Sequence, residues 1–320
     1  MRKNIHLEKD LLPILRCPVC KSKIVTVGDS QVQCTNHECA GVFPVINGVP
    51  VLINESTSVF RIQDFVLKKY TYALGEVRAH RLEKFLPTIS QNLKSKANYA
   101  RFVEHLLAKT RNPRVLIVGG GIVGEGLKEA LNHPDIIFIE SDVAFGPRTG
   151  VICDAHDIPF DDMVFDGVIA QAVLEHVVDP VRCVQEIFRV LVEHGLVYAE
   201  TPFMQQVHGG RYDFTRFTHL GHRHLFKQFD EIDSGVQNGP GMALAWSYEY
   251  FLLSFVESPV MRRLARLFAR LTAFWLKYFD YFLVNKPGAF DAASGLYFWG
   301  RKSEQILSDR ELITLYRGTL

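Results

Sequence analysis

The chain has 320 residues, 48% hydrophobic and 22% charged, with a formal net charge of +1. That length supports one large core or two unequal ones, and the near-neutral balance excludes a globally basic nucleic-acid binder. The N-terminus lacks the apolar run and small-residue cleavage site of a signal peptide, and no stretch of about eighteen residues is free of charge, so we expect a cytoplasmic chain without a spanning helix.

The first zone is cysteine-bearing, β-branched and turn-rich. Four of the six cysteines cluster here, Cys17 and Cys20 in one knuckle and Cys34 and Cys39 in a second. A two-residue gap lets both thiolates of the first knuckle face one ion, and two knuckles complete a closed tetrahedral zinc site of structural type. His37 stands three residues after Cys34 and is an alternative fourth ligand to Cys39. About forty residues are too few to fold well unaided, so Zn2+ is expected to supply folding energy. Cys17 and Cys20, followed by the run from Phe43 to Ile53, resemble the small zinc-ribbon proteins that partner and stabilise methyltransferases. We assign residues 1–55 to this zinc ribbon.

Residues 56–112 read as a helical linker. Phe65, Leu67, Tyr70 and Leu74, then Phe102 and Leu106, recur at helical spacing, and Pro87 divides the zone into at least two helices.

From Arg114 strands alternate with helices, the pattern of a parallel sheet covered on both faces. Strands are expected at 115–118, 136–139, 151–152, 164–170 and 196–199, with helices at 122–131 and 180–191. The first strand runs into Gly119, Gly121 and Gly124, a G-x-G-x-x-G loop that lets backbone amides approach a ligand, and Glu140 follows at the end of the next strand to grip ribose hydroxyls. By themselves these residues fit a nicotinamide dinucleotide and S-adenosylmethionine equally. The sequence then continues through Asp154, Ala155, His156 and Asp157, strand 164–170 ending at Gln171, Leu174-Glu175-His176, Asp179-Pro180, and His194-Gly195. This ordered series resembles the successive motifs of class I S-adenosylmethionine-dependent methyltransferases, in particular the group that includes the quinone-biosynthesis enzymes, over roughly residues 114–236.

The resemblance implies a Rossmann-like, doubly wound α/β fold of seven mostly parallel strands with an antiparallel strand at 295–300. It places Gly119 and Gly121 against the methionine moiety, Glu140 on the ribose, Asp154 and Ala155 around the adenine, and Gln171 near the sulfonium. The family pattern has an acidic residue where this chain has Ile117, so the methionine amino group is left to a backbone carbonyl or Gln171. The domain is assigned to residues 113–302, with a helical insertion at about 241–290 and a C-terminal tail at 303–320.

The loop after the fifth strand is dense in His, Arg, Tyr and Asp and should face the ligand crevice. His208 is the candidate general base, with Asp213 as its orienting partner and Arg216 as a structural or anchoring cation. His219, His222 and His224 are poorly spaced for one metal and are expected to pack or to face water. Residues 261–280 form an amphipathic helix. Arg262, Arg263, Arg266, Arg270 and Lys277 share one arc, and Leu264, Phe268, Leu271, Trp275 and Phe279 the other. It suits either a lid or a peripheral membrane contact. We therefore expect methyl transfer to a small-molecule, sugar or lipid-linked acceptor, most simply at oxygen. The alternatives are an NAD-dependent oxidoreductase using the same loop and a non-catalytic zinc-ribbon assembly partner.

Overall fold

In the N-terminal zone alternation sets the strands: β1 (Ile24–Val27) and β2 (Gln31–Cys34) turn Ile24, Val32 and Cys34 inward. A two-residue turn at Asn47 and Gly48, both at positive φ, closes the hairpin of β3 (Val42–Ile46) and β4 (Val49–Leu52). The computed structural model describes residues 7–69 and 87–319. Tyr70 and Leu74 lie outside the described residues.

The central sheet contains β5 (Arg114–Val118), β6 (Ile137–Asp142), β7 (Val151–Cys153), β8 (Phe165–Gln171), β9 (Leu191–Pro202), β10 (Phe229–Asn238) and β11 (Gly295–Lys302). Their order is β7-β6-β5-β8-β9-β11-β10, with β11 antiparallel to both neighbours and the β5–β9 block parallel. This is the seven-stranded, mostly parallel α/β sheet expected from the sequence. β4 adds to its β7 edge as a parallel strand, with Val51 opposite Ile152 and Leu52 opposite Cys153. One apolar cluster accordingly runs from Leu15, Cys17, Val32 and Phe43 of the cysteine zone into Phe160 and Phe165 of the large domain.

The linker zone holds α1 (Ile62–Val66) and α2 (Ser95–Lys109), the latter burying Tyr99, Phe102, Val103 and Leu106 on the sheet. α3 (Leu127–Ala130) is a single turn, much shorter than the 122–131 helix expected. Gly126 sits at φ +82, where a Cβ would come within 2.8 Å of the Lys96 amide nitrogen, so the chain turns left-handed and stays in loop form until Leu127. α4 (Pro180–Val190) starts on an Asp179 cap with Pro180 in its first turn, and buries Cys183, Val184, Ile187 and Val190 at helical spacing. α5 (His219–Leu225) precedes β10, whose polar sequence gave no strand signal. Between β10 and β11 lies the expected helical insertion, α6 (Pro240–Leu253), α7 (Pro259–Ala273), α8 (Asp280–Leu283) and α9 (Pro287–Ala292). After β11, α10 (Asp309–Thr314) opens on a Ser308–Glu311 capping box, and the tail returns to the domain through Arg317 and Glu231.

On α5, His219 and His222 are buried, and His222 lies 5.3 Å from the Phe226 ring centroid and 6.0 Å from that of Phe217. Burial pushes their pKa values down, to about 4 and about 3. Both lie below the unfolded value of about 6.5, so between pH 6.5 and 4 the unfolded chain binds more protons and stability falls with falling pH. We expect about 2 kcal/mol lost per histidine at pH 5, read as a lower melting temperature. His222→Phe should flatten that dependence; an unchanged slope would remove this explanation.

Candidate active site

The C-terminal ends of β5, β6 and β8 open on a cavity of about 440 Å³. That is within the range of ligand pockets and where an open α/β sheet places them. Gly119, Gly121 and Gly124 form one wall. Gly119 sits at φ +76, and a Cβ on it would come within 2.3 Å of Val173 Cγ2. A Cβ on Gly121 would meet Asp142 Oδ2 at 2.8 Å, and one on Gly124 would overlap the Gln171 amide. The cradle therefore has space for a ligand only because side chains are absent from these three positions. Its amides come from the loop itself, the following helix being one turn long.

The acidic residue at the end of the second strand is Asp142 and not Glu140. β6 runs on to Asp142, three residues past the expected end at 139, and Asp142 reaches the cavity, where its Oδ2 accepts from the Gly121 amide at 2.7 Å. Burial raises the Asp142 pKa, and the amides of Gly121, Ala144 and Val143 offset only part of that. Glu140 does not line the cavity: its side chain is 1% exposed and its Oε1 accepts from Arg148 Nε at 2.5 Å. A two-residue shift keeps the strand face but moves the carboxylate from behind the loop to its rim.

Asp154 and Ala155 line the opposite wall. The Asp154 carboxylate accepts from Ser58 Oγ at 2.5 Å, from His156 Nδ1 at 2.5 Å and from the His156 amide at 3.1 Å. Burial works to raise its pKa, and these donors lower it overall. Gln171 lines the floor and donates to Glu200 Oε2 at 2.8 Å. Glu200 itself was not anticipated. It lies two residues before the end of β9, opposite Gln171, is buried, and accepts from Tyr198 at 2.8 Å and from Ser95. Val59 and Phe60, just before α1, and Asn92, just before α2, also reach the cavity, and Phe60 stacks on Tyr212 at 5.5 Å. No periodicity marks such isolated loop residues. Ile117 is buried in the apolar layer between the sheet and α2 and contributes no polar group.

The loop after β9 carries His208 to the cavity, where it meets His176 from the loop after β8, with ring centroids 4.9 Å apart. Asp213 is not the orienting partner expected for a base. Its carboxylate accepts from the backbone amides of His208 at 2.8 Å and Gly209 at 3.0 Å and is paired with Arg216, while His208 Nδ1 stays 3.7 Å away. Burial opposes ionisation there, but Arg216 and the two amides hold the Asp213 pKa well below the usual carboxylate range. Arg216 is thus the structural cation and Asp213 a brace. His208 Nδ1 lies 3.2 Å from the Gln206 carbonyl, which leaves Nε2, 3.7 Å from Glu175 Oε1, as the ring nitrogen not engaged by the backbone. Burial lowers the His208 pKa, but Glu175, the Gln206 carbonyl and Asp213 outweigh it and the net shift is upward.

The four cysteine sulfurs converge within 4.8 Å of one another. Cys17 and Cys39 Sγ are 3.7 Å apart, and Cys20 and Cys34 Sγ 3.4 Å. Tetrahedral ligands at the Zn–S distance would be about 3.8 Å apart, so the donor set fits zinc. His37 is exposed and outside the convergent group, which leaves Cys39 as the fourth ligand. No helix of the described residues is long and apolar enough to cross a membrane.

The family described as "Methyltransferase domain" matches residues 135–199. At the N-terminus, a UPF0434 protein of Coxiella burnetii is 37% identical over 51 residues, covering 16% of this chain and 89% of that protein. Among solved structures, Haemonchus contortus phosphoethanolamine N-methyltransferase 2, in complex with phosphomonomethylethanolamine and S-adenosylhomocysteine, is similar at 15% identity and a TM-score of 0.41, covering 65% of this chain and 53% of that one. A complex containing the Haloferax volcanii Trm112 methyltransferase activator is similar at 17% identity and a TM-score of 0.38, covering 67% and 100%. A nicotinamide-type doubly wound sheet would run parallel through its sixth strand. Here the edge is the antiparallel β10–β11 pair, which speaks against the oxidoreductase alternative.

Proposed function

We propose an acceptor for a chain that belongs to the class I S-adenosylmethionine-dependent methyltransferases and carries an N-terminal segment of the UPF0434 family: a sugar or lipid-linked hydroxyl presented at a membrane surface. When bound, S-adenosylmethionine supplies a methyl carbon activated by the adjoining positive sulfur. The chain's own residues bind and align. The Gly119–Gly121 backbone and Gln171 hold the methionine end, Asp142 the ribose, and Asp154 and Ala155 frame the adenine. Alignment alone contributes roughly 7–11 kcal/mol to such a displacement. The acceptor atom belongs at the His176–His208 end of the cavity.

The observation that carries the lipid-linked reading is the orientation of α7. Arg262 and Arg270 turn inward, Arg270 lying 3.8 Å from Glu249 of α6 and Arg262 donating to the Leu253 and Val256 carbonyls, whereas Arg266, also 3.8 Å from Glu249, is half-exposed and Arg263 is exposed. Leu264, Phe268, Leu271, Trp275 and Phe279 turn outward, with Phe268 54% and nearby Phe282 76% exposed. A lid packed on the sheet would do the opposite. The same insertion reaches the acceptor end. Trp246 lies 6.4 Å from the His208 ring, and Tyr250 donates to the Val207 carbonyl at 2.6 Å. A bilayer fits this face because aromatic side chains insert at the headgroup boundary. The protein then works peripherally, on the cytoplasmic side.

Flotation with lipid vesicles, coupled to transfer of labelled methyl into the lipid fraction, tests this reading. Wild type should float and transfer label. A Phe268→Ser, Trp275→Ser, Phe282→Ser variant should lose at least tenfold in binding, since each buried aromatic contributes roughly 1.5–3 kcal/mol. Added salt should weaken binding only in part, because Arg262 and Arg270 are engaged internally while Arg263 and Arg266 still face water. A wild type that stays unbound, or that pairs with a second copy through this face, would contradict it.

A further inference from the structure

Glu175, His176 and His208 bring one carboxylate oxygen and two imidazole nitrogens within 4.8 Å of one another. Glu175 is 0% exposed, and neither of its carboxylate oxygens accepts a hydrogen bond from any described residue. His176 Nε2 faces its Oε1 at 3.8 Å and His208 Nε2 at 3.7 Å. The tautomers follow from the other nitrogens. His176 Nδ1 lies 2.8 Å from the Tyr212 carbonyl and His208 Nδ1 3.2 Å from the Gln206 carbonyl. A carbonyl only accepts, so each Nδ1 carries a hydrogen and each ring turns its Nε2 toward the buried carboxylate. Glu175 is fully buried while the two rings reach toward the open cavity, and a buried carboxylate of this kind is costly unless a positive charge sits beside it.

We propose that these three residues bind a divalent first-row transition ion at the acceptor end of the cavity. Nδ1–H donation to backbone carbonyls is the arrangement that fixes metal-ligating imidazoles, and two histidines with one carboxylate suit zinc, iron or a related ion with positions left open. Ligands at bonding distance around a tetrahedral ion are about 3.4 Å apart, so the two histidine–carboxylate edges need shorten by only a few tenths of an ångström. The site is built for close approach: a Cβ on Gly209 would come within 2.5 Å of His176 Cε1 and Nδ1. The amides of Phe214 and Thr215 bind the Glu175 carbonyl at 2.8 and 3.3 Å, fastening the His208 loop to the Glu175 loop.

This assignment changes the role of His208 from base to ligand, and its catalytic consequence rests on the methyl-transfer reading. An acceptor hydroxyl in an open position is acidified by the ion and releases its proton to water. The oxygen lone pair then forms the C–O bond as the C–S bond breaks, the electron pair staying on sulfur.

Cobalt(II) titration of the whole protein tests the site. Wild type should take up two equivalents, one with strong thiolate-to-metal absorption from the cysteine quartet and one without it. His208→Ala, on a surface loop, and Glu175→Gln should each take up one, with the thiolate band unchanged as an internal report of folding. A single equivalent in wild type and His208→Ala alike, or a His208 that titrates as an imidazolium without metal uptake, would overturn the proposal. Binding of S-adenosylhomocysteine to the wild type, read by calorimetry, reports the methyl-transfer reading separately.

Discussion

Cys17→Ser should release the structural metal and leave a chain that no longer folds cooperatively at physiological temperature. The expected loss is large for two reasons. Removing one of four thiolates forfeits most of a metal-binding free energy that reaches roughly 10–16 kcal/mol in small zinc modules. The ribbon is also not a separable appendage: β4 is hydrogen-bonded to β7, and Cys17 belongs to the same apolar cluster as Phe160 and Phe165. Losing the metal therefore uncovers the β7 edge and part of the catalytic core. Against a total of about 5–15 kcal/mol for a typical domain, that is enough to make the variant insoluble. Metal content, soluble yield and thermal melting measure the effect. Cys183→Ser is the control, because Cys183 is equally buried but lies outside the quartet; it should keep its metal. A Cys17→Ser protein that stays soluble, metal-loaded and unchanged in melting would contradict the coupling described here.

The second large effect concerns the cofactor cradle. Asp142→Ala should weaken S-adenosylhomocysteine binding by about 10–100-fold, the equivalent of one or two hydrogen bonds to a charged group. Glu140→Gln should change binding far less, because that carboxylate is held by Arg148 behind the loop. Gly119→Val should abolish binding, since its side chain would collide with Val173 in a backbone conformation that β-branched residues avoid. If Glu140→Gln proved the more damaging substitution, the assignment of the ribose-binding carboxylate would revert to the sequence reading.

That reversal marks where the sequence could be read and where it could not. The order of strands and helices, the glycine cradle and the cysteine quartet were all visible, because each follows from spacing or from residue types with few alternative uses. The end of β6 was not, since Ser141 and Asp142 look like the start of a loop although the strand carries them on. β10 was hidden for a related reason: its Asp, Glu and Ser residues belong to an edge strand half open to water. The amphipathic character of α7 was plain, but periodicity says only that a helix has two faces and not which one meets the protein. Here Arg270 and Arg262 found Glu249 of α6 and the carbonyls at and just beyond its end, and the aromatic face was left outside. The meeting of Glu175 and His176 with His208 depends on two loops more than thirty residues apart, and no local pattern announces it. The same is true of the pairing of β4 with β7, where a ribbon of familiar type becomes the edge of another sheet.

The central claim is that this cavity holds S-adenosylmethionine, and calorimetric titration of the whole protein with S-adenosylhomocysteine and, separately, with NAD+ tests it most directly. The structure described here predicts one equivalent of S-adenosylhomocysteine bound, loss of that binding in Gly119→Val, and no response to NAD+. Saturable binding of NAD+ with none of S-adenosylhomocysteine would contradict it.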